Sequence, residues 1–337
     1  MRVLISSVGR RGYLVKFFKE ALGSDGEVWG GDYSRYAPAF HCCDKSVLLP
    51  KVTAPDYVEQ LIGFCQKNQI DMVVPLIDPE LEALAAQRER FYDAGIMVVV
   101  SPPQTVQIAF DKYLTYKFGK DSGIAVPGTV VTIKEAEELL AAGKFKWPVV
   151  VKPRKGSASA DITYCHNERQ MKSAFESCPN PMIQECMKGQ EYGYDILGDR
   201  NYRPISVFCK RKLAMRAGET DKAVSTDDTE LIALGVKLAE SLQLFGPVDV
   251  DVIVTSDGPK LLEINPRFGG GYPCSHQAGA NFPAKLIAMF RNQTLVPDIG
   301  SCPAGVYMLK QYEIVFPSQE SIESIRDWRG ESASKEQ

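Results

Sequence analysis

Asp249-Val250-Asp251-Val252-Ile253, then the turn Ser256-Asp257-Gly258-Pro259, then Leu262-Glu263-Ile264-Asn265-Pro266-Arg267-Phe268-Gly269-Gly270-Gly271, organises the reading of the whole chain. Asp-Gly between two apolar runs is a turn signal, which predicts a hairpin of strands over 248–255 and 260–264. Residues two apart on a strand share a face. Glu263 and Asn265 therefore project together, and Asp251 lies across the hairpin where it can share that face. Two carboxylates and an amide oxygen form a hard-oxygen set suited to Mg²⁺ or Mn²⁺, one or two ions, with phosphates completing the coordination. Arg267, two residues further on, can place positive charge where phosphoryl charge develops. The competing reading is an edge hairpin with solvated acids. Asp249 and Asp251 alternate with valines, however, so that reading would crowd two acids onto one strand face without a cation.

The chain ahead of the hairpin has two textures. Up to residue 100, short apolar runs alternate with helical patterns: 3–5, 27–32, 72–76 and 96–100 read as strands, with helices after 12, from Pro55, and over 79–90. This is the signature of an open parallel α/β sheet with right-handed crossovers. Ser101-Pro102-Pro103 breaks it, giving a first domain of 1–105. Helices are expected over 110–121 and 134–142, and a strand over 148–152. From 181 onward the strands lengthen and read as antiparallel (181–185, 192–197 and 205–213), with a helix over 229–242. The second domain is set at 106–310, its smaller lobe at about 120–187, and 311–337 is a C-terminal extension with a polar, disordered tail from about 329.

Composition excludes several functions. Of 337 residues, 45% are hydrophobic and 24% charged, enough for two domains with real cores. Lys+Arg 39 against Asp+Glu 42 leaves a net charge of −3, which argues against a generally basic nucleic-acid binder. No apolar run approaches the roughly 20 residues of a membrane helix, and residues 1–5 show no signal-peptide pattern. Nine cysteines and three histidines without ligand spacing point to reduced thiols in a cytoplasmic protein. Ser7-Val8-Gly9-Arg10-Arg11-Gly12, with Asp32 twenty residues on, approximates a dinucleotide fingerprint, but Ser7 stands where the first glycine belongs. It reads first as the opening βα turn of the sheet. A nicotinamide-dependent oxidoreductase is the weakest reading, since it has only this turn in its favour.

The Glu263-Ile264-Asn265-Pro266-Arg267 segment resembles the metal-binding E-x-N-P-R of ATP-grasp enzymes, the carbamoyl phosphate synthase large subunit in particular. Other landmarks follow in the family's order. Asp111-Lys112, with Gly123-Ile124-Ala125-Val126-Pro127 after it, is similar to the family's entry segment, which implies that Lys112 contacts nucleotide phosphates. Val149-Val150-Val151-Lys152-Pro153 resembles the strand whose basic residue reaches the α- and β-phosphates, and Gly156 and Ser157 fall in the phosphate-covering loop, 154–162. Ile183 to Tyr192 resembles the interdomain strand. There Gln184, Glu185, Cys186 and Met187 would lie along the adenine, with backbone bonds from 185–187, and Glu191 would accept the ribose hydroxyls. Lys210, Arg211 and Arg216 lie where the family places positive charge beside the transferring phosphate. Lys210 and Arg211 alternate on a strand, so only one of them would face the nucleotide.

The resemblance covers roughly 106–300. It implies a two-lobed ATP-grasp fold behind the pre-grasp α/β domain, with ATP and Mg²⁺ as cofactors. It implies a carboxylate–amine, or carboxylate–nucleophile, ligase working through an acyl phosphate. Asp251, Glu263 and Asn265 would bind metal, and Arg267, Lys210 and Arg216 would act at the transferring phosphate. Partners are then a small-molecule acid and an amine, with no nucleic acid and no membrane; a homodimer is compatible. A non-catalytic, regulatory ATP-binding protein is the alternative.

Overall fold

The computed structural model describes residues 1–156, 161–311 and 313–331. The first hundred residues build strands β1 (Arg2–Ser6), β2 (Glu27–Asp32), β3 (Lys45–Leu48), β4 (Met72–Pro75) and β5 (Met97–Val98). They pair in parallel, in the order β3-β2-β1-β4-β5. Val3, Leu4 and Ile5 are fully buried because helices cover both faces of such a sheet. Helix α1 (Gly12–Leu22) turns Leu14, Val15, Phe18 and Leu22 inward.

Local chemistry sharpens the expected boundaries. Helix α2 (Tyr57–Asn68) starts two residues after Pro55. The helix expected over 79–90 is two, α3 (Asp78–Ala86) and α4 (Arg88–Asp93), which meet at Gln87. The helix expected over 110–121 is likewise α5 (Pro103–Phe110) and α6 (Lys112–Asp121). Asp111 between them is extended, and its carboxylate accepts the N–H groups of Tyr113 and Leu114 as an N-cap.

The rest of the chain makes two further sheets. Strands β6 (Thr129–Val130), β7 (Val149–Pro153), β8 (Thr163–Cys165) and β9 (Pro181–Glu185) form a small antiparallel sheet, covered by α7 (Ile133–Ala141) and α8 (Glu168–Ser177). Strands β10 (Gln190–Gly198), β11 (Pro204–Arg216) and β12 (Glu219–Thr226) join the hairpin β13 (Gly246–Thr255) and β14 (Gly258–Asn265) in a large antiparallel sheet. Its order is β14-β13-β10-β11-β12-β15, with β15 at Tyr307–Leu309. Val248, Val250 and Val252 pack on α9 (Thr229–Ser241) in one core, so the alternating acids of β13 must point the other way. Helices α10 (Tyr272–Gln277) and α11 (Phe282–Phe290) follow the glycine run and pack Tyr272 and Phe282 into the core of the first sheet.

The end of the chain departs from expectation. Strand β16 (Arg326–Asp327) adds to the first sheet beside β3. Buried Asp327 accepts the N–H groups of Arg329, Gly330 and Glu331, so the tail is tied down through 331. Residues 332–337 lie outside the described residues.

Candidate active site

Strand register assembles the site. Asp195 stands opposite Asp249 and Gly193 opposite Asp251 across β10–β13; Asp249 stands opposite Asn265 and Asp251 opposite Glu263 across β13–β14. Gly193 also faces Lys210 across β10–β11. Directly opposed residues share a side of a sheet. One face therefore carries Asp195, Asp249, Asp251, Glu263, Asn265 and Lys210, with Lys212 two positions along. A Cβ at Gly193 would sit 3.3 Å from the Lys212 side chain and 3.5 Å from that of Lys210, so the glycine leaves both lysine stems room to cross.

The carboxylates of this face are met by cations. The Lys112 ammonium lies 3.1 Å from Glu263 Oε1 and donates to the Gly156 carbonyl at 2.5 Å. The Lys212 ammonium lies 2.6 Å from Asp251 Oδ1 and 3.9 Å from Glu191. That 2.6 Å approach is outside hydrogen-bond geometry, so Oδ1 is a buried oxygen without a hydrogen bond. Burial pushes the Asp251 carboxyl up to about 7 against the pull of Lys212, with Asp249 and Glu263 adding to the rise. Burial likewise brings the Lys152 ammonium down to about 8, assisted by its neighbour Lys112 and opposed by Glu263. An under-bonded carboxylate oxygen beside Glu263 and Asn265 fits a hard cation. Among the described residues no three His, Cys, Asp or Glu side chains converge as an all-protein cage. Mg²⁺ takes one or two carboxylates and leaves its other positions to phosphate and water. Asp251, Glu263 and Asn265 are the residues that would hold it.

The glycine run lies directly on this floor. A Cβ at Gly269 would fall 2.4 Å from Asp249 Oδ1, and one at Gly271 would fall 2.5 Å from Lys210 Cε. Only glycine allows that approach. Arg267 places Nε 3.0 Å from Asp78 Oδ1, at the start of α3, and NH1 3.5 Å from Asp249 Oδ2. Phe110, Lys112, Gly156, Glu263, Asn265 and Asp78 border one cleft between the first sheet, α5–α6 and β14.

Several expected site residues stand elsewhere. Lys210 does not face the nucleotide cleft. It is buried, its ammonium 2.5 Å from Asp195 Oδ2, and Ser275 donates to the same oxygen at 2.5 Å. Burial raises the Asp195 carboxyl against the pull of Lys210, while Asp195 and Asp249 hold Lys210 above the usual lysine range despite burial. Lys212, two positions along, meets Asp251 and Glu191. Arg216 is exposed near the end of β11, opposite Glu219. The Gln184 amide is internal, donating to Thr129 Oγ1 at 2.8 Å, and the Glu185 N–H is taken by the Gly128 carbonyl at 2.9 Å. Glu185 also accepts the Gly128 N–H at 2.6 Å, so neither side chain lies along a ligand edge. Cys186 and Met187 are half-buried past the end of β9, and Glu191 is half-buried on β10. Gly156 meets Lys112; Ser157 lies outside the described residues. Asp249 and Lys212 carry no role in the sequence reading, and the loop Asp78-Pro79-Glu80 reads there only as a border of the acceptor pocket, with no tie from Asp78 to Arg267. The period of two from Lys210 marked Lys212, and that from Asp251 marked Asp249. Asp78, 189 residues from Arg267, carried no local signal.

The first turn does not behave as a dinucleotide fingerprint. Asp32 uses both oxygens internally, accepting the N–H of Gly9 at 2.9 Å and that of Ser34 at 3.0 Å, which ties the turn to the end of β2. Ser7, at φ 52°, donates to Glu80 at 3.0 Å, and Tyr57 donates to the other Glu80 oxygen at 2.5 Å; burial raises this carboxyl. Arg11 crosses to the grasp side, donating to the Phe268 carbonyl at 2.6 Å and lying 3.5 Å from Glu219.

Both halves of the chain resemble known proteins. Residues 3–99 match the PylC-like N-terminal domain, and residues 109–271 match the ATP-grasp domain. The carbamoyl phosphate synthase large chain of Methanothermobacter thermautotrophicus is 23% identical over 257 residues, covering 69% of this chain and 24% of that one. The D-alanine–D-alanine ligase of Petrotoga mobilis is 32% identical over 189 residues, covering 51% of this chain and 61% of that one. The chain thus spans less than two thirds of these curated relatives. The biotin carboxylase domain of the Hydrogenobacter thermophilus 2-oxoglutarate carboxylase, solved with MgADP and bicarbonate, has the same fold. Its TM-score is 0.73 at 15% identity, over 91% of this chain and 73% of that one. With both halves matched in order and the grasp hairpin in place, residues 109–271 are an ATP-grasp domain and residues 3–99 a PylC-like domain ahead of it.

Proposed function

We propose that the protein is an ATP-dependent carboxylate–amine, or carboxylate–nucleophile, ligase that works through an acyl phosphate. The observation that carries this is the single sheet face on which Asp251, Glu263 and Asn265 stand between Lys112 on one side and Arg267 on the other. Bound Mg²⁺ supplies charge neutralisation to the β- and γ-phosphates. Lys112 and Lys152 hold the phosphate chain, Met187 and Cys186 border the base, and Glu191 takes the ribose. An oxygen of the substrate carboxylate attacks the γ-phosphorus; the bond to the β-bridging oxygen breaks and ADP leaves. The amine then attacks the acyl carbon and phosphate departs, the amine losing one proton. Positioning and charge do this work, as in phosphoryl transfer generally, and no side-chain nucleophile is required.

Two relatives support the reading by name, one making carbamoyl phosphate and the other joining two D-alanines. The partners are then a small-molecule acid and an amine. Among the described residues no helix is long and apolar enough to cross a membrane. Nine cysteines, all free, suit the reducing cytoplasm, where we place the protein.

The deciding experiment is ADP release from MgATP across a panel of carboxylic acids, with hydroxylamine present to trap the activated acyl group as a hydroxamate. Acid-dependent ADP release with hydroxamate formation is expected. MgATP binding without acid-dependent turnover across the panel would instead establish the non-catalytic reading.

A further inference from the structure

We infer that Asp78, which reaches the cleft from the first sheet, is a positioning residue for Arg267, so that docking of the N-terminal domain completes the phosphoryl-transfer end of the site. The inference rests on the ligase reading for its kinetic part only. Asp78 opens α3 immediately beyond β4 and contacts one edge of the guanidinium twice, Oδ1 at 3.0 Å from Nε and Oδ2 at 3.5 Å from NH2. Both side chains are only 13% exposed. The other end of the guanidinium is held more loosely. NH1 lies 3.3 Å from the Phe268 carbonyl and 3.5 Å from Asp249. Arg11, also from the first domain, donates to that Phe268 carbonyl at 2.6 Å. The N-terminal domain therefore grips Arg267-Phe268 at two points, while NH1 rests on the Phe268 carbonyl and beside Asp249 at the floor of the site.

A long arginine stem has many rotamers, and a planar fork fixed along one edge loses most of them before the ligand arrives. Preorganised charge of this kind acts where negative charge develops. A mere tie between domains could sit anywhere along their seam. Asp78 instead borders the same cleft as Lys112, Glu263 and Asn265.

The test uses the full chain labelled with ¹⁵N-arginine. It compares wild type, Asp78→Asn, Asp78→Glu and Arg267→Lys by MgATP affinity, ADP release from MgATP, melting temperature and the Nε–Hε resonance of Arg267, assigned by its loss in Arg267→Lys. In Asp78→Asn, kcat should fall about 10- to 100-fold, the range for partners that orient functional groups. MgATP affinity should stay within about threefold, and the Arg267 Nε–Hε resonance should shift and broaden. Asp78→Glu should restore part of both. An Asp78→Asn enzyme with kcat within twofold of wild type overturns the inference, as does an unchanged Arg267 resonance or a parallel fall of kcat and MgATP affinity. If wild type releases no ADP with MgATP alone or with any acid, the ligase reading fails. The resonance then decides the positioning claim alone, and its constancy in Asp78→Asn refutes it.

Discussion

Lys210→Met should destabilise the protein in a strongly pH-dependent way while leaving nucleotide binding intact. Lys210 and Asp195 are buried together at 2.5 Å, and Ser275 is the other hydrogen-bond partner of that Asp195 oxygen. Removing the ammonium leaves a carboxylate that must either stay charged in the sheet or take up a proton. Breaking a buried pair from one side costs about 3–5 kcal/mol. Protonation gives a similar figure: holding an Asp of ordinary pKa about 3.9 neutral at pH 7 costs about 1.36 kcal/mol for each of about three units, or about 4 kcal/mol. The sign follows from proton counts. In the variant the folded state keeps a proton on Asp195 that the unfolded state has released above about pH 4. Stability therefore falls as pH rises, by up to about 1.4 kcal/mol per pH unit, more steeply than in wild type. Urea unfolding followed by circular dichroism at pH 5, 6, 7 and 8 measures this slope. Lys210→Met/Asp195→Asn should remove it. A single variant with the wild-type slope would show that Lys210 and Asp195 are not an ion pair. Full stability with weakened MgATP binding would return Lys210 to the nucleotide site.

Three further expectations follow from the cleft. MgATP affinity should be bell-shaped in pH, because Asp251, at about 7, must lose its proton to bind a cation and Lys152, at about 8, must keep its proton to bind phosphate. Calorimetric titration from pH 5.5 to 9.5 should show both limbs, Asp251→Asn lacking the acid one and Lys152→Met the alkaline one; a flat wild-type profile contradicts the assignment. Glu263→Gln should cut Mg-dependent ATP turnover at least tenfold while the melting temperature changes little, since Glu263 borders the cleft and is not buried in a core; unaltered turnover removes it from the metal site. Gly269→Ala must displace Asp249, so turnover should drop at least tenfold; a fully active alanine variant would mean that the run can lift away from the floor.

Much of this was legible in sequence because it depends on neighbours along one strand. Alternation on β13 and β14 put Asp251, Glu263 and Asn265 on one face, and the valines between the acids required the opposite face to be the core. The parallel sheet was legible for the same reason, since runs such as Val3-Leu4-Ile5 report burial on both faces. The strands that escaped notice are short or polar. Lys45–Leu48 is four residues, and Glu219–Thr226 is polar apart from the adjacent Ala223 and Val224, at a sheet position near the edge. The choice among Lys210, Arg211 and Arg216 left Lys212 out, and period two, which separates Arg211 from its neighbours, cannot rank Lys210 against Lys212. Their difference lies on β10 and β13, where Asp195 takes the first lysine and Asp251 the second.

The two kinds of sheet, the order of the grasp landmarks and the acidic hairpin are written along the chain, since periodicity and spacing are properties of neighbouring residues. Which charges meet depends on the folded arrangement. Asp78 and Arg267 are 189 residues apart, and Arg11 and Phe268 are 257 apart. Ion pairing depends on distance in space and on burial, and neither exists until the first sheet docks against the grasp.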